Sequence, residues 1–200
     1  MANNFVNGFA SVVTAGEFYQ SNASDATTGP QTVYTANNGS SGVNSILVEL
    51  DAANTGTAGV TVTAFVQDTS STLGSITSIA SSSDIATVTT GSAHGLKVGM
   101  YVNVTGSSTN FVNGMYKVAS VPSTTTFTYA QNSGAANGSA AGTIVIYKAY
   151  HIVKDAPVPS GSTLKIVAGQ KVVLNSNDKV IAYASAGTVD VIAGVLQEVT

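Results

Sequence analysis

Apolar residues recur at every second position through much of the chain, and turn formers break the pattern every ten residues or so. The last fifty residues show it best. Tyr150-His151-Ile152-Val153 is a run of β-formers ending at Lys154-Asp155, followed by Pro157 and Pro159, which fix φ and remove backbone donors. Leu164 and Ile166, then Val172 and Leu174 beyond a turn at Gly169, alternate with Lys165, Lys171 and Val173. Asn175-Ser176-Asn177-Asp178 is a cluster of turn formers. Val180 to Tyr183 and a closing strand follow, the latter with Val189, Val191, Ala193, Val195 and Val199 on one side. Asp190, Ile192, Leu196 and Glu198 lie on the other side. Such patterning predicts an antiparallel sandwich or barrel.

Upstream, Gln31 to Ala36 reads as a strand, and Asn37 to Gly42 as a turn. In Val43 to Leu50 the pattern puts Ile46, Val48 and Leu50 on one face and Leu47 and Glu49 on the other. Val60 to Val66 alternates and closes at Asp68. From Thr69 to Asp84 serine, threonine and glycine dominate. A compact stretch with its own hairpins and aromatics then runs to Tyr129, followed by a Gly/Ala/Ser/Asn linker from Gln131 to Gly142 and a strand at Thr143 to Tyr147. The expected organisation is an all-β chain. An antiparallel, jelly-roll-like β-sandwich, residues 1–73 plus 148–200, carries a small inserted β-barrel or sandwich domain, residues 74–147. Loop tips tolerate such insertions because closure entropy grows slowly with length.

Composition narrows the functional classes. Of 200 residues, 44% are hydrophobic and 8% charged, which suits a folded chain and not a disordered polyelectrolyte. The basic side chains are lysines without a single arginine, and the formal net charge is −3. Nucleic-acid binding needs clustered positive charge, so no nucleic-acid partner is expected. Without cysteine there is no disulfide frame and no thiolate chemistry. No apolar run reaches the ~18–20 residues of a membrane span, and Met1-Ala2-Asn3-Asn4 lacks a signal peptide's basic start and apolar core. The expectation is a protein assembled in the cytoplasm, without a membrane partner.

Candidate chemistry is sparse. His94 lies in a turn and His151 on a strand; neither has the companions of a metal site. Glu49 and Asp51, two apart, share a strand face, and a glycosidase needs two carboxylates about 5–10 Å apart. Ordinary solvated strands carry such pairs too. Asp25, Asn175, Asn177 and Asp178 lack the spacing of a calcium loop, and turn formation accounts for them better. No Gly-x-Ser-x-Gly elbow or phosphate-binding loop is present. No catalytic residue, metal or cofactor is therefore expected. Phe5, Phe9, Phe18 and Tyr19 sit near a polar N-terminal stretch and pack either on the chain's own core or on a neighbour.

Two stretches resemble known families. His94-Gly95-Leu96, Val98-Gly99, Tyr101-Val102, Val104, Gly106, Asn113-Gly114, Tyr116, Val118 and Thr126-Phe127-Thr128-Tyr129 resemble the small β modules of tailed-phage tail and fibre proteins. The likeness covers roughly residues 80–130; Met100 stands where many relatives carry an acid. Ile46 to Thr55, Val60 to Asp68, Tyr150 to Leu164 and Lys171 to Glu198 resemble a second group of phage virion proteins. The resemblance implies a structural β-sandwich subunit on the outside of a tailed-phage virion, as capsid decoration or a neck or tail accessory. Its expected partners are other virion proteins and further copies of itself, with a trimer favoured; Phe5, Phe9, Phe18 and Tyr19 are the candidate assembly residues. A second possibility is a module that binds host-surface glycan, with Tyr101, Tyr116 and Tyr129 as stacking residues. A polysaccharide hydrolase ranks third.

Overall fold

The computed structural model describes residues 4–12, 30–36, 44–108, 113–131 and 138–199. They form fourteen strands: β1 (Asn4–Val12), β2 (Gln31–Thr35), β3 (Asn44–Asn54), β4 (Val60–Thr72), β5 (Ile76–Ser82), β6 (Ile85–Thr90), β7 (Tyr101–Ser107), β8 (Gly114–Ser123), β9 (Thr126–Ala130), β10 (Gly138–Ser139), β11 (Gly142–Val158), β12 (Thr163–Leu174), β13 (Lys179–Ala184) and β14 (Val189–Val199). No helix occurs among the described residues, so the fold is all-β. The chain divides into two compact units. The described part of the first is residues 4–12, 30–36, 44–70 and 150–199; that of the second is 71–108, 113–131 and 138–149.

The first unit is an antiparallel sandwich. One sheet has the order β1-β14-β3-β12; in this unit the other runs β11-β4-β13-β2. Counted in chain order within the unit alone, the sheets read first-eighth-third-sixth and second-seventh-fourth-fifth. That is the double Greek key of a jelly roll. Leu47, Leu50, Val62, Phe65, Leu174, Val191 and Val195 fill its interior. Gly8 matters here because a Cβ would collide with the Val33 carbonyl, so only glycine lets β1 lie this close to β2. The Tyr34 hydroxyl bonds Ser45 Oγ at 3.1 Å and accepts from Gln197 Nε2 at 2.7 Å, tying β2 to β3 and β14.

Register shifts change which faces the sequence pattern puts inside. Leu47 and Leu50 are both buried, while Ile46 and Val48 are half-buried, contrary to simple alternation. The reason is a bulge. Glu49 and Leu47 face the consecutive residues Gly194 and Val195 of β14, which leaves Val48 unopposed. On β12, Lys165 and Val167 face Asp51 and Leu50, which leaves Ile166 unopposed. One extra residue turns the following side chains to the other face. Gly169 does not end a strand either. It sits at φ +78° inside β12, where a second slip falls between Ala168 and Val172.

Two strands also run further than their patterns suggest. β4 continues past Asp68 to Thr72, and β11 is a single strand through the region read as two. Lys154-Asp155 does not stop β11. Asp155 adopts φ +50°, and its N–H donates to Thr63 Oγ1 at 3.0 Å, so the ladder with β4 absorbs the kink. Pro157 is tolerated because β11 is an edge strand of this unit.

In the second unit the strands follow the order β10-β5-β6-β9-β8-β7-β11, antiparallel throughout. β8 pairs with β7 through Gly114–Lys117 and with β9 from Val118 onward, so one strand serves both hairpins. The core gathers Ile79, Val88, Val102, Tyr116, Phe127, Tyr129 and Ile146. β5 lies in the Ser/Thr-rich stretch, where Ile79 supplies the apolar anchor. Gly95 and Gly99 have φ of +64° and +90° in the loop between β6 and β7, and Gly114, the first residue of β8, has +139°.

Candidate functional site

The exposed apolar surface of the first unit is concentrated on the outer face of the β1-β14-β3-β12 sheet. β1 is the edge strand, pairing with β14 from Asn4↔Gln197 to Val12↔Val189 without a break. Its alternation turns Gly8 inward and Phe5, Asn7 and Phe9 outward. Phe5 is 73% and Phe9 66% exposed, far more than isolated surface aromatics need be. Opposite residues in antiparallel strands share a face. Phe5 therefore begins an apolar row that crosses all four strands through Leu196, Ile46 and Val173. A second row runs from Phe9 to Ile192, Asp51 and Lys165. Val173 is 58% and Ile192 45% exposed, so both rows face solvent. Phe18 and Tyr19, the other two expected assembly residues, lie outside the described residues.

The polar end of the second row is an ionic cluster. Lys165 Nζ lies 3.6 Å from Glu49 Oε1 and 3.8 Å from Asp51 Oδ2. Burial raises the Asp51 carboxyl above its ordinary value; Lys165 opposes the shift and Glu49 adds to it. Asp51 Oδ1 is enclosed and has no hydrogen-bond partner among the described residues. The two carboxylates thus share one ammonium on a sheet face, which offsets part of their charge. On the opposite sheet, Lys154 bonds Asp155 at 2.9 Å and holds that carboxyl below its ordinary value.

The three expected glycan-stacking tyrosines separate. Tyr116 and Tyr129 are interior, 2% and 0% exposed, and stack on each other with ring centroids 4.1 Å apart. Burial raises both phenols above their ordinary value, and the Tyr116 hydroxyl donates to the Asn113 carbonyl. Neither ring offers a face to a sugar: the aromatics that looked like a platform are the small core itself. Tyr101 is half-buried on β7.

The remaining candidates are structural. His94 Nδ1 accepts the Leu96 N–H at 3.0 Å, and its ring meets Phe127 edge-on at 5.2 Å. His151 lies against Phe65, ring centroids 6.2 Å apart. Asp178 is 3% exposed and accepts from the backbone N–H of Asn175 and of Thr69, each at 2.9 Å, and from Thr69 Oγ1 at 3.2 Å. It organises a turn, as expected of that cluster; Asp25 lies outside the described residues. Asn54 was not singled out by sequence, yet it is buried and donates to the Ala58 and Val158 carbonyls at 2.8 and 3.0 Å. Its Oδ1 accepts the Gly56 N–H. A loop-edge asparagine looks the same in sequence whether it pins two strands or only starts a turn.

An open cleft of about 470 Å³ lies beside Val60, Pro157, Val158, Pro159 and Ser185, and no ionisable side chain lines it. Among the described residues, no cluster of three or more His, Cys, Asp or Glu could hold a metal, and no helix is long and apolar enough to cross a membrane. Comparison of the chain with family models, curated proteins and solved structures returns no match.

Proposed function

We propose that the protein is a non-enzymatic structural subunit on the exterior of a tailed-bacteriophage particle, as capsid decoration or a neck or tail accessory. It would act by binding further copies of itself and other virion proteins. The observation that carries the reading is the solvent-facing apolar row that begins at Phe5, with Phe9 and Ile192 exposed beside it. Contiguous exposed apolar surface marks an interaction site. The jelly roll is compatible with this but does not decide it, since viral capsid and lectin domains share it. The glycan-binding alternative is left with Tyr101 from its original three rings.

Labelling purified particles with antibody against this protein tests the reading. Discrete labelling at the shell, neck or tail, and co-sedimentation of added protein with particles lacking it, are the expected results. Particles that carry none and bind none would refute it.

A further inference from the structure

We infer that β1 is a self-pairing edge: two copies of this chain join their sheets, β1 against β1, around a two-fold axis at Asn7. Three of the four edges of the first unit carry devices that oppose strand addition. β12 has Lys165, Lys171 and two register shifts. The part of β11 in this unit has Lys154, Asp155 and Pro157. β2 is only five residues long and slips register between Val180 and Ile181 of its partner. Short length, lysine, proline and bulges are the usual guards of an edge. β1 has none of them. It is nine residues long, uncharged, without proline, and paired to β14 in one unbroken register.

The side chains indicate that the occupant is a second copy. On the outward face β1 reads Phe5, Asn7, Phe9, a palindrome about Asn7. An isologous contact requires a patch complementary to itself. An antiparallel β1–β1 pair centred on Asn7 sets Phe5 of each copy opposite Phe9 of the other, and the two Asn7 side chains opposite each other. Directly opposed aromatics are a favoured cross-strand pair, and two amides can exchange hydrogen bonds. No charge on Asn4–Val12 opposes the approach of an identical strand. The apolar row from Phe5 to Val173 of one copy would then continue into Phe9 and Ile192 of the other, across six strands, and end at the Asp51–Lys165 pair. This contact makes a dimer, not the trimer expected from sequence. It rests on the edge itself and holds whether or not the protein binds a phage particle.

Sedimentation equilibrium of the full chain should give a dimer. Asn7→Lys sets two ammonium groups face to face and should raise the dimer dissociation constant at least tenfold, with an unchanged far-ultraviolet circular dichroism spectrum. The chain has no cysteine, so Asn7→Cys introduces one thiol per copy. Opposed residues have Cα atoms about 4.5–5.5 Å apart, within disulfide range, and mild oxidation should cross-link most of the protein. Asn4→Cys should not cross-link, because its two copies would lie about 20 Å apart at ~3.4 Å per residue. A monomeric or trimeric wild type, or equal cross-linking of the two cysteine variants, would overturn the inference. Particle co-sedimentation, scored separately, tests the virion reading alone.

Discussion

At the residue scale, buried carboxylates do opposite things depending on their partners. Asp178 is satisfied: three donors converge on it from Thr69 and Asn175. Removing it takes the acceptor from the Thr69 and Asn175 backbone N–H groups, so Asp178→Ala should cost about 3 kcal/mol, within the range for losing hydrogen bonds to a buried charge, read from denaturant unfolding. Asp51 pairs through Oδ2 with Lys165 but leaves Oδ1 without a partner, and its carboxyl is raised chiefly by burial. A raised acid favours the folded state below its unfolded value, and that contribution is lost as pH rises through the folded value. Asp51→Asn removes the penalty of the charged form. Its melting temperature should exceed that of the wild type at pH 7, and the gap should close as pH falls below the carboxylate range; a gap that widens toward acid would contradict this account. Sequence revealed the turn role of Asp178 because Asn-Ser-Asn-Asp has few other uses. It could not reveal Asp51 Oδ1, because enclosure depends on how β12 and β14 flank β3.

At the element scale, strand existence was legible and strand length was not. Val189 to Val195 and Val60 to Val66 announce themselves by alternation, and glycines mark the loop at Gly95 and Gly99. The bulges at Val48 and Ile166 have no residue signature; the first inverts the faces read from the pattern on β3, while on β12 Leu174 lies inside and Lys165, Lys171 and Val173 outside, as the alternation puts them. Strand β5 hides in serine and threonine, and Asp155 looks like a stop because its left-handed φ is rare away from turns. Tyr116 and Tyr129 suit either a small core or a sugar platform as far as the sequence goes, because an aromatic's type does not say which face of its strand it occupies; the structure puts both in the core. Gly106 makes a sharper case: at φ +80°, its Cβ would run into the Thr143 carbonyl. Gly106→Ala should destabilise the second unit by roughly 2 kcal/mol or more, the scale of a strained non-glycine residue plus a clash. Hydrogen exchange should show lost protection in β7 and β11, while β3 and β14 keep theirs.

Element adjacency also bears on excision. β4 and β11 are neighbours, and the first unit leaves through one at Ser70 and returns through the other at Tyr150. Neighbouring antiparallel strands can be rejoined by a two- to five-residue turn. A chain with 71–149 replaced by such a turn should keep an all-β spectrum and unfold cooperatively. An insoluble or unfolded product would mean that the first unit depends on the second for its stability.

At the scale of the whole molecule the governing fact is the scarcity of charge: seven lysines and ten acids in 200 residues. Several of these are spent locally, Lys165 on Glu49 and Asp51 and Lys154 on Asp155. Contacts built on long-range attraction weaken as salt shortens the screening length from about 10 Å at 0.1 M to about 3 Å at 1 M. Contacts built on apolar burial do not, and excluded salts such as sulfate strengthen them. The rows from Phe5 and Phe9 are of the second kind. Association, whether with a second copy or with a particle, should therefore change less than about threefold between 50 and 500 mM sodium chloride and tighten in ammonium sulfate. Phe5→Ser with Phe9→Ser should weaken it at every salt concentration, because the aromatic surface that would be withdrawn from water is gone. Binding that falls steeply with sodium chloride but survives the double substitution would place the contact on the charged side chains and away from this face.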